Sequence, residues 1–296
     1  MGVSFCRFYK VFLVGWISLA LSLVQGATTI DSTNKYAWSS NAGWINFEGD
    51  VNQGIAITES YLSGYAWASN FGWIYFGNGS PANGYSYANN ASADVGVNHD
   101  GAGNLYGYAW SANVGWIHFG TEGSVDTNRP RFDLQSGDFT GYAWSGNLGW
   151  INLGGGLLTT SRMDCPDTDS DGMADSWEMK YFGNLTTATD KSDYDGDGEI
   201  DPREYLSATD PTDPDQRFQI VDYAFGLGSG KYSLVFTSSV TRLYRIYHND
   251  DLETRWTLAS LGLFAPDTGG ITSKTYTGPI SDMLFFRVEA VKPLQP

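Results

Sequence analysis

Tyr36-Ala-Trp-Ser-Ser-Asn-Ala-Gly-Trp-Ile-Asn-Phe47 returns with few changes at residues 65–76, 108–119 and 142–153. Its inner period is two. Tyr and Trp of the Tyr-Ala-Trp stretch share one face of a strand, and Ala takes the other. After Asn-x-Gly, Ile and Phe share a face, while Trp stands beside a variable residue: Asn46, Tyr75, His118 or Asn152. Two short strands joined by a tight turn fit this pattern, because Asn and Gly both tolerate left-handed backbone. Further strands at 94–98 and 131–134 would make each unit a three-stranded meander. One meander cannot bury its own apolar face, so the units must stack or close into a ring. The sequence does not choose between the two.

The repeats occupy 27–160, behind an N-terminal leader. Arg7 and Lys10 precede an apolar run over 11–24, and Val24 and Gly26 supply small residues for cleavage after Gly26. This is the pattern of a secretory signal peptide over 1–26, and the run is short for a membrane span of about 20 residues. The expected location is therefore secreted or at the cell surface, with no membrane span after cleavage. Aromatic residues make up 15% of the chain and glycines number 36, a balance that favours strands and turns. Of two cysteines, Cys6 lies in the leader, so Cys165 has no internal partner. The net charge of −16 disfavours nucleic acid as a partner.

That acidity is concentrated in 161–217, which contains two matching stretches. Asp167, Asp169, Asp171, Asp175 and Glu178 fall at positions 1, 3, 5, 9 and 12 of a loop with Gly172 at position 6. Asp193, Asp195, Asp197, Asp201 and Glu204 repeat the arrangement around Gly198. A hard cation takes six to eight oxygens at about 2.3–2.6 Å, and the backbone carbonyls of Met173 and Glu199 would complete each set. Two calcium ions are the expected cofactors, since a bidentate Glu at position 12 suits calcium better than magnesium. A short helix is expected after each loop. Asp175 and Glu178 would form a capping box for one reaching Phe182, and Asp201-Pro202 would open the second.

These loops resemble those of EF-hand proteins, without a helix in front. The loop–helix form, with Glu204-Tyr-Leu-Ser-Ala-Thr-Asp-Pro211 at its end, is similar to the thrombospondin type 3-like calcium segments of bacterial surface proteins. Dockerin modules share the two loop–helix units, but their partner contacts are alike in both units. Here Ser176-Trp177 and Pro202-Arg203 differ, which argues against cohesin-type docking.

From 218 to the end, alternating runs at 218–223, 231–237, 243–248, 257–263, 273–277 and 284–291 predict a small antiparallel β-sandwich. The whole chain thus reads as mainly β: a repeated β-meander domain, a calcium-binding loop–helix segment and a C-terminal sandwich. The three histidines, His99, His118 and His248, lie in separate segments, and no nucleophile or zinc motif accompanies them. No catalytic residue is assigned. A glycan-active enzyme would need a carboxylate pair assembled from acids such as Glu48, Glu59 or Glu122. The favoured reading is a structural or adhesive protein in which calcium stiffens a junction between β domains, its partner unknown, a polysaccharide or a surface protein. The alternative is carbohydrate binding by Trp44, Trp73, Trp116 and Trp150 on an outward face. Against that, repeated tryptophans are expected to interlock as core between units.

Overall fold

The computed structural model describes residues 28–49, 53–226, 229–250, 255–280 and 284–295. The leader at 1–26 lies outside the described residues. In chain order the repeat domain contains β1 (Ile30–Ser39), β2 (Gly43–Asn46), β3 (Ala56–Ile57), β4 (Leu62–Ala68), β5 (Gly72–Gly77), β6 (Val97–His99), β7 (Leu105–Ser111) and β8 (Gly115–His118). It continues with β9 (Arg131–Phe132), β10 (Phe139–Thr140), β11 (Tyr142–Ser145), β12 (Gly149–Asn152) and β13 (Leu158–Thr160).

Each repeat is one hairpin: β1–β2, β4–β5, β7–β8 and β11–β12. Neighbouring hairpins pair antiparallel, and β12 returns to β1 through Trp38↔Asn152 and Ser39↔Ile151. The repeats therefore close into an eight-stranded barrel, which leaves no edge open around the ring. The third strand of the expected meander is present only as short outer pieces. β3 pairs β4, β6 pairs β7, β9 pairs β10 and β13 pairs β1.

An eight-stranded barrel has an interior just wide enough for side chains to fill it. Ala37, Ala66, Ala109 and Ala143 point inward with Ile45, Ile74, Ile117 and Ile151, all nearly or fully buried. Phe47, Phe76, Phe119 and Leu153 complete the filling, with Phe76 in edge contact with Phe47 at 5.3 Å and Phe119 at 5.2 Å. The pairings Ala37↔Ile45 and Trp38↔Trp44 set a small residue opposite a branched one inside and two indoles opposite each other outside. The expectation that the tryptophans interlock as core is thus corrected. Every repeat tryptophan is exposed, from 39% at Trp67 to 61% at Trp150. The lumen has room for Ala, Ile and Phe, and the larger rings take the other face of the same strands.

Helices α1 (Asp175–Tyr181) and α2 (Asp201–Ser207) follow the acidic loops. The C-terminal part holds β14 (Ile220–Gly226), β15 (Lys231–Thr237), β16 (Leu243–Asn249), β17 (Thr257–Leu258), β18 (Ile271–Thr277) and β19 (Phe285–Val291). They form two antiparallel sheets, β14-β15-β18 and β17-β16-β19. Tyr232, Leu234, Phe236 and Tyr276 of the first share one core with Tyr244, Ile246 and Ala290 of the second, as the sandwich pattern predicts.

The three parts touch. Leu243 belongs to the barrel's core cluster, with Leu263, Val291 and Leu294 packed against it. Met163 donates its backbone N–H to the Leu294 carbonyl at 3.1 Å. Lys292 pairs with Glu59 at 2.8 Å and also reaches the Tyr205 hydroxyl.

Candidate metal centre and aromatic wall

The two acidic loops fold alike because the same residue types make the same local bonds. Asp167 accepts from the backbone N–H groups of Ser170 and Gly172 at 2.7 and 3.0 Å; Asp193 accepts from Gly196 and Gly198 at 2.8 and 3.0 Å. Gly172 and Gly198 have φ of 97° and 98°, a conformation that glycine adopts without steric penalty. Asp171 accepts from Met173 N–H at 3.0 Å, and Asp197 from Glu199 N–H at 2.6 Å.

These bonds gather the carboxylates. Within Asp167, Asp169 and Asp171, one oxygen from each lies within 4.8 Å of the others, and the same holds for Asp193, Asp195 and Asp197. Glu178 and Glu204, one helical turn on, are completely buried. Both carboxylate oxygens of Glu178 lack any hydrogen-bond partner, as do Asp171 Oδ2, Asp195 Oδ2 and Glu204 Oε2. Burying an unpaired carboxylate is expensive. Desolvation, helped by the neighbouring aspartates, pushes Glu178 up to about 8 and Glu204 up to about 7. The same causes raise Asp171. An oxygen-binding cation at each loop would relieve both the desolvation and the repulsion, so the donor set fits a divalent hard ion.

Asp175 and Asp201 behave differently from the expected ligands. Asp175 accepts from Thr168 N–H at 2.7 Å and from the Thr168 hydroxyl at 2.6 Å. Asp201 accepts from Tyr194 N–H at 2.9 Å and from the Ser192 hydroxyl at 2.5 Å. With both oxygens of each engaged, position 9 ties the start of the loop to its helix. The capping box is also absent, since Ala174 and Ile200 stand at the N-caps without a side-chain cap. Asp197 Oδ2 is further paired with Arg217 at 2.9 Å.

Behind the loops, Met173, Ala174, Trp177, Ala188 and Tyr205 form a small core. Trp177 and Tyr205 meet edge to face at 5.4 Å. Arg242 closes the far end, donating to the carbonyls of Leu206 at 2.9 Å and Tyr205 at 2.6 Å, near the C-terminus of α2. Sequence reading missed this residue, because an isolated Arg in a strand region carries no local signal. Burial pushes the Cys165 thiol up to about 12, which favours its protonated form.

The barrel wall is the second feature. The register lays outward side chains in four rows of Tyr, variable residue, Trp and Trp. The row at the second and third hairpins runs Tyr65↔Tyr75, Tyr75↔Trp110 and Trp110↔Trp116. The next is Tyr108, His118, Trp144 and Trp150; the others carry Asn152 or Asn46 at the variable place. Within each hairpin the indoles contact edge to face at 4.6–4.9 Å. So Trp44, Trp73, Trp116 and Trp150 all stand outside, each beside a second tryptophan that sequence reading had not singled out as a platform. A groove of about 540 Å³ runs between the second and third hairpins, lined by Tyr65, Trp73, Tyr75 and Trp110.

A wider cleft of about 820 Å³ lies where barrel, α1 and the C-terminal part meet, lined among others by Glu59, His99, Glu122, Trp177, Lys180 and Arg242. Glu59 is ion-paired there with Lys292, and Glu48 is paired elsewhere with Lys35. His99 is buried with Nε2 2.6 Å from the Thr58 carbonyl, and burial lowers its pKa. His118 lies against Tyr108 and His248 stacks on Tyr276.

No helix among the described residues is long and apolar enough to cross a membrane. No family model, curated protein or solved structure matches the chain.

Proposed function

We propose that the chain is an exported, calcium-binding protein of structural or adhesive kind, in which two calcium ions order and stiffen the loop–helix segment at the junction of the barrel and the C-terminal sandwich. The observation that carries this reading is the duplicated loop with a buried glutamate whose oxygens have too few protein partners. Asp167, Asp169, Asp171 and Glu178, with the Met173 carbonyl, would hold one ion. Asp193, Asp195, Asp197 and Glu204, with the Glu199 carbonyl, would hold the other. Calcium supplies charge neutralisation and a fixed centre for each loop. On the protein side α1 and α2 meet through Trp177 and Tyr205, with Arg242 anchoring α2 to the sandwich. Where a site forms only in the folded chain, binding free energy becomes folding free energy. Export rests on the leader pattern at 1–26.

Calorimetry on the metal-stripped mature chain should show two calcium equivalents with weaker magnesium binding. The Glu178→Gln, Glu204→Gln double variant should bind calcium far more weakly at both sites, since it loses a bidentate charged ligand from each. Unchanged stoichiometry and affinity in that variant would overturn the assignment.

A further inference from the structure

We propose that the outer wall of the barrel binds a neutral polysaccharide, with the row Tyr65, Tyr75, Trp110 and Trp116 as its strongest subsite. This rests on the adhesive reading above and names the partner that reading leaves open.

Exposure is the first ground. A soluble chain rarely leaves a contiguous aromatic surface in water unless something covers it. Here the belt encircles the barrel, and the repeat tryptophans are 39–61% exposed. Charge is the second. The chain carries −16, yet no outward position of the four hairpins holds a charged residue. Neutral hydrogen-bonding groups stand among the rings instead: Asn46, Asn152, His118 and the tyrosine hydroxyls. That surface complements a ligand with apolar C–H faces and many hydroxyls but no ionic groups. An anionic polymer or an anionic lipid surface would meet a molecule of like charge, and the aromatic rows themselves hold no basic residue to offset it. Seven of the eight barrel strands, all but β1, also fall short of the roughly 9–11 residues that a membrane-spanning strand needs.

Repetition is the third ground. A second copy of the chain would cover one self-complementary patch. Four rows of the same ring set around a barrel instead match a ligand that repeats its own unit. Among them, the row at the second and third hairpins is aromatic throughout, because Tyr75 takes the place that Asn46, His118 or Asn152 holds elsewhere. At the usual strand spacing it spans roughly 14 Å, the reach of a short oligosaccharide. The groove of about 540 Å³ adjoins it. Its rings are already held: Trp110 contacts Trp116 at 4.6 Å, and Tyr65 meets Tyr75 at 5.3 Å. Fixed rings lose little freedom on binding, which favours affinity.

Affinity electrophoresis of the full mature chain with calcium tests this, using soluble glucan, xylan, mannan and galactan gels beside an anionic polygalacturonate gel. Retardation by at least one neutral polymer, and none by the anionic one, is expected. Trp110→Ala and Tyr75→Ser should each weaken that retardation, Trp110→Ala by at least about ten-fold. Calcium stoichiometry and melting behaviour should be retained in both variants, and Trp110→Phe should recover part of the binding. Retardation by no neutral polymer, or retardation indifferent to both variants, would overturn the proposal. A dimer in sedimentation that Trp110→Ala dissociates would overturn it in favour of a second copy as occupant. Failure of calcium binding in the unaltered chain would strike the metal reading alone, and the two are thereby distinguished.

Discussion

The asparagine of each repeat does something that its position in a turn does not reveal. Asn41 Nδ2 donates to the Leu148 carbonyl at 3.1 Å, Asn70 to Ala42 at 2.8 Å, Asn113 to Phe71 at 2.8 Å and Asn147 to Val114 at 2.9 Å. Each clasp joins one turn to its neighbour, and that of Asn41 on Leu148 joins the first hairpin to the fourth. Left-handed backbone falls to glycine alone, with φ of 74°, 87°, 79° and 70° at Gly43, Gly72, Gly115 and Gly149. The residues between, Ala42, Phe71, Val114 and Leu148, are buried at the barrel end. Asn-x-Gly was legible as a turn, but a side chain's reach across a ring is not readable before the ring is known. Asn113→Ala removes one clasp and leaves a carbonyl unpartnered, at a cost of about 1–3 kcal/mol. Thermal denaturation should show that loss, and Asn113→Asp should not restore stability because it removes the donor. A melting temperature equal to the parent's in both variants would show that the clasp contributes nothing.

At the scale of elements, periodicity identified which residues share a face but not which face turns inward. Hydrophobicity points Trp inward; lumen volume decides otherwise, admitting Ala37, Ile45 and Phe47 and leaving the indoles outside. The acidic loops were more legible, because a ligand pattern sits within one short stretch. Only the bonding partners of Asp175 and Asp201 show that position 9 braces the loop. The loops also carry a pH signature. In the folded, metal-free chain Glu178 sits near about 8 and Glu204 near about 7, against an ordinary value of 4.5. The folded state then holds more protons than the unfolded one between those values. Its contribution is present below the ordinary value and is lost as pH rises through about 7 and 8. Urea denaturation with chelator should therefore give a lower midpoint for the helical segment at about pH 8.5 than at about pH 5.5. With calcium the order should reverse, because the ion binds the ionised form. A chelated midpoint that rises with pH would mean that these glutamates face water or a protein cation.

For the whole molecule, the sequence suggested β domains separated by a metal-stiffened spacer, and the contacts alter that picture. Leu243, Val291 and Leu294 bring the sandwich onto the barrel, and Lys292 pairs with Glu59. Those contacts pass beside the calcium segment, with no metal ligand among them. They join residues far apart in the chain, which no local pattern announces. Chelation should therefore loosen the loops without lengthening the molecule. Sixteen acids against three bases between residues 164 and 215 repel one another once the ions leave. Trp177 and Tyr205 would then lose their fixed packing, while the barrel and the two-sheet core of the sandwich keep theirs. Limited proteolysis should cut within 167–204 in chelator and spare that stretch in calcium. Small-angle scattering should show nearly the same radius of gyration in both conditions. A chelated molecule that extends would mean that the segment, and not the direct contact, holds the two β units together. Lys292→Ala removes the Glu59 pair and the contact to Tyr205 of α2 together, and the variant should stay as compact as the parent with and without calcium, because the packing of Leu243, Val291 and Leu294 still holds the sandwich on the barrel.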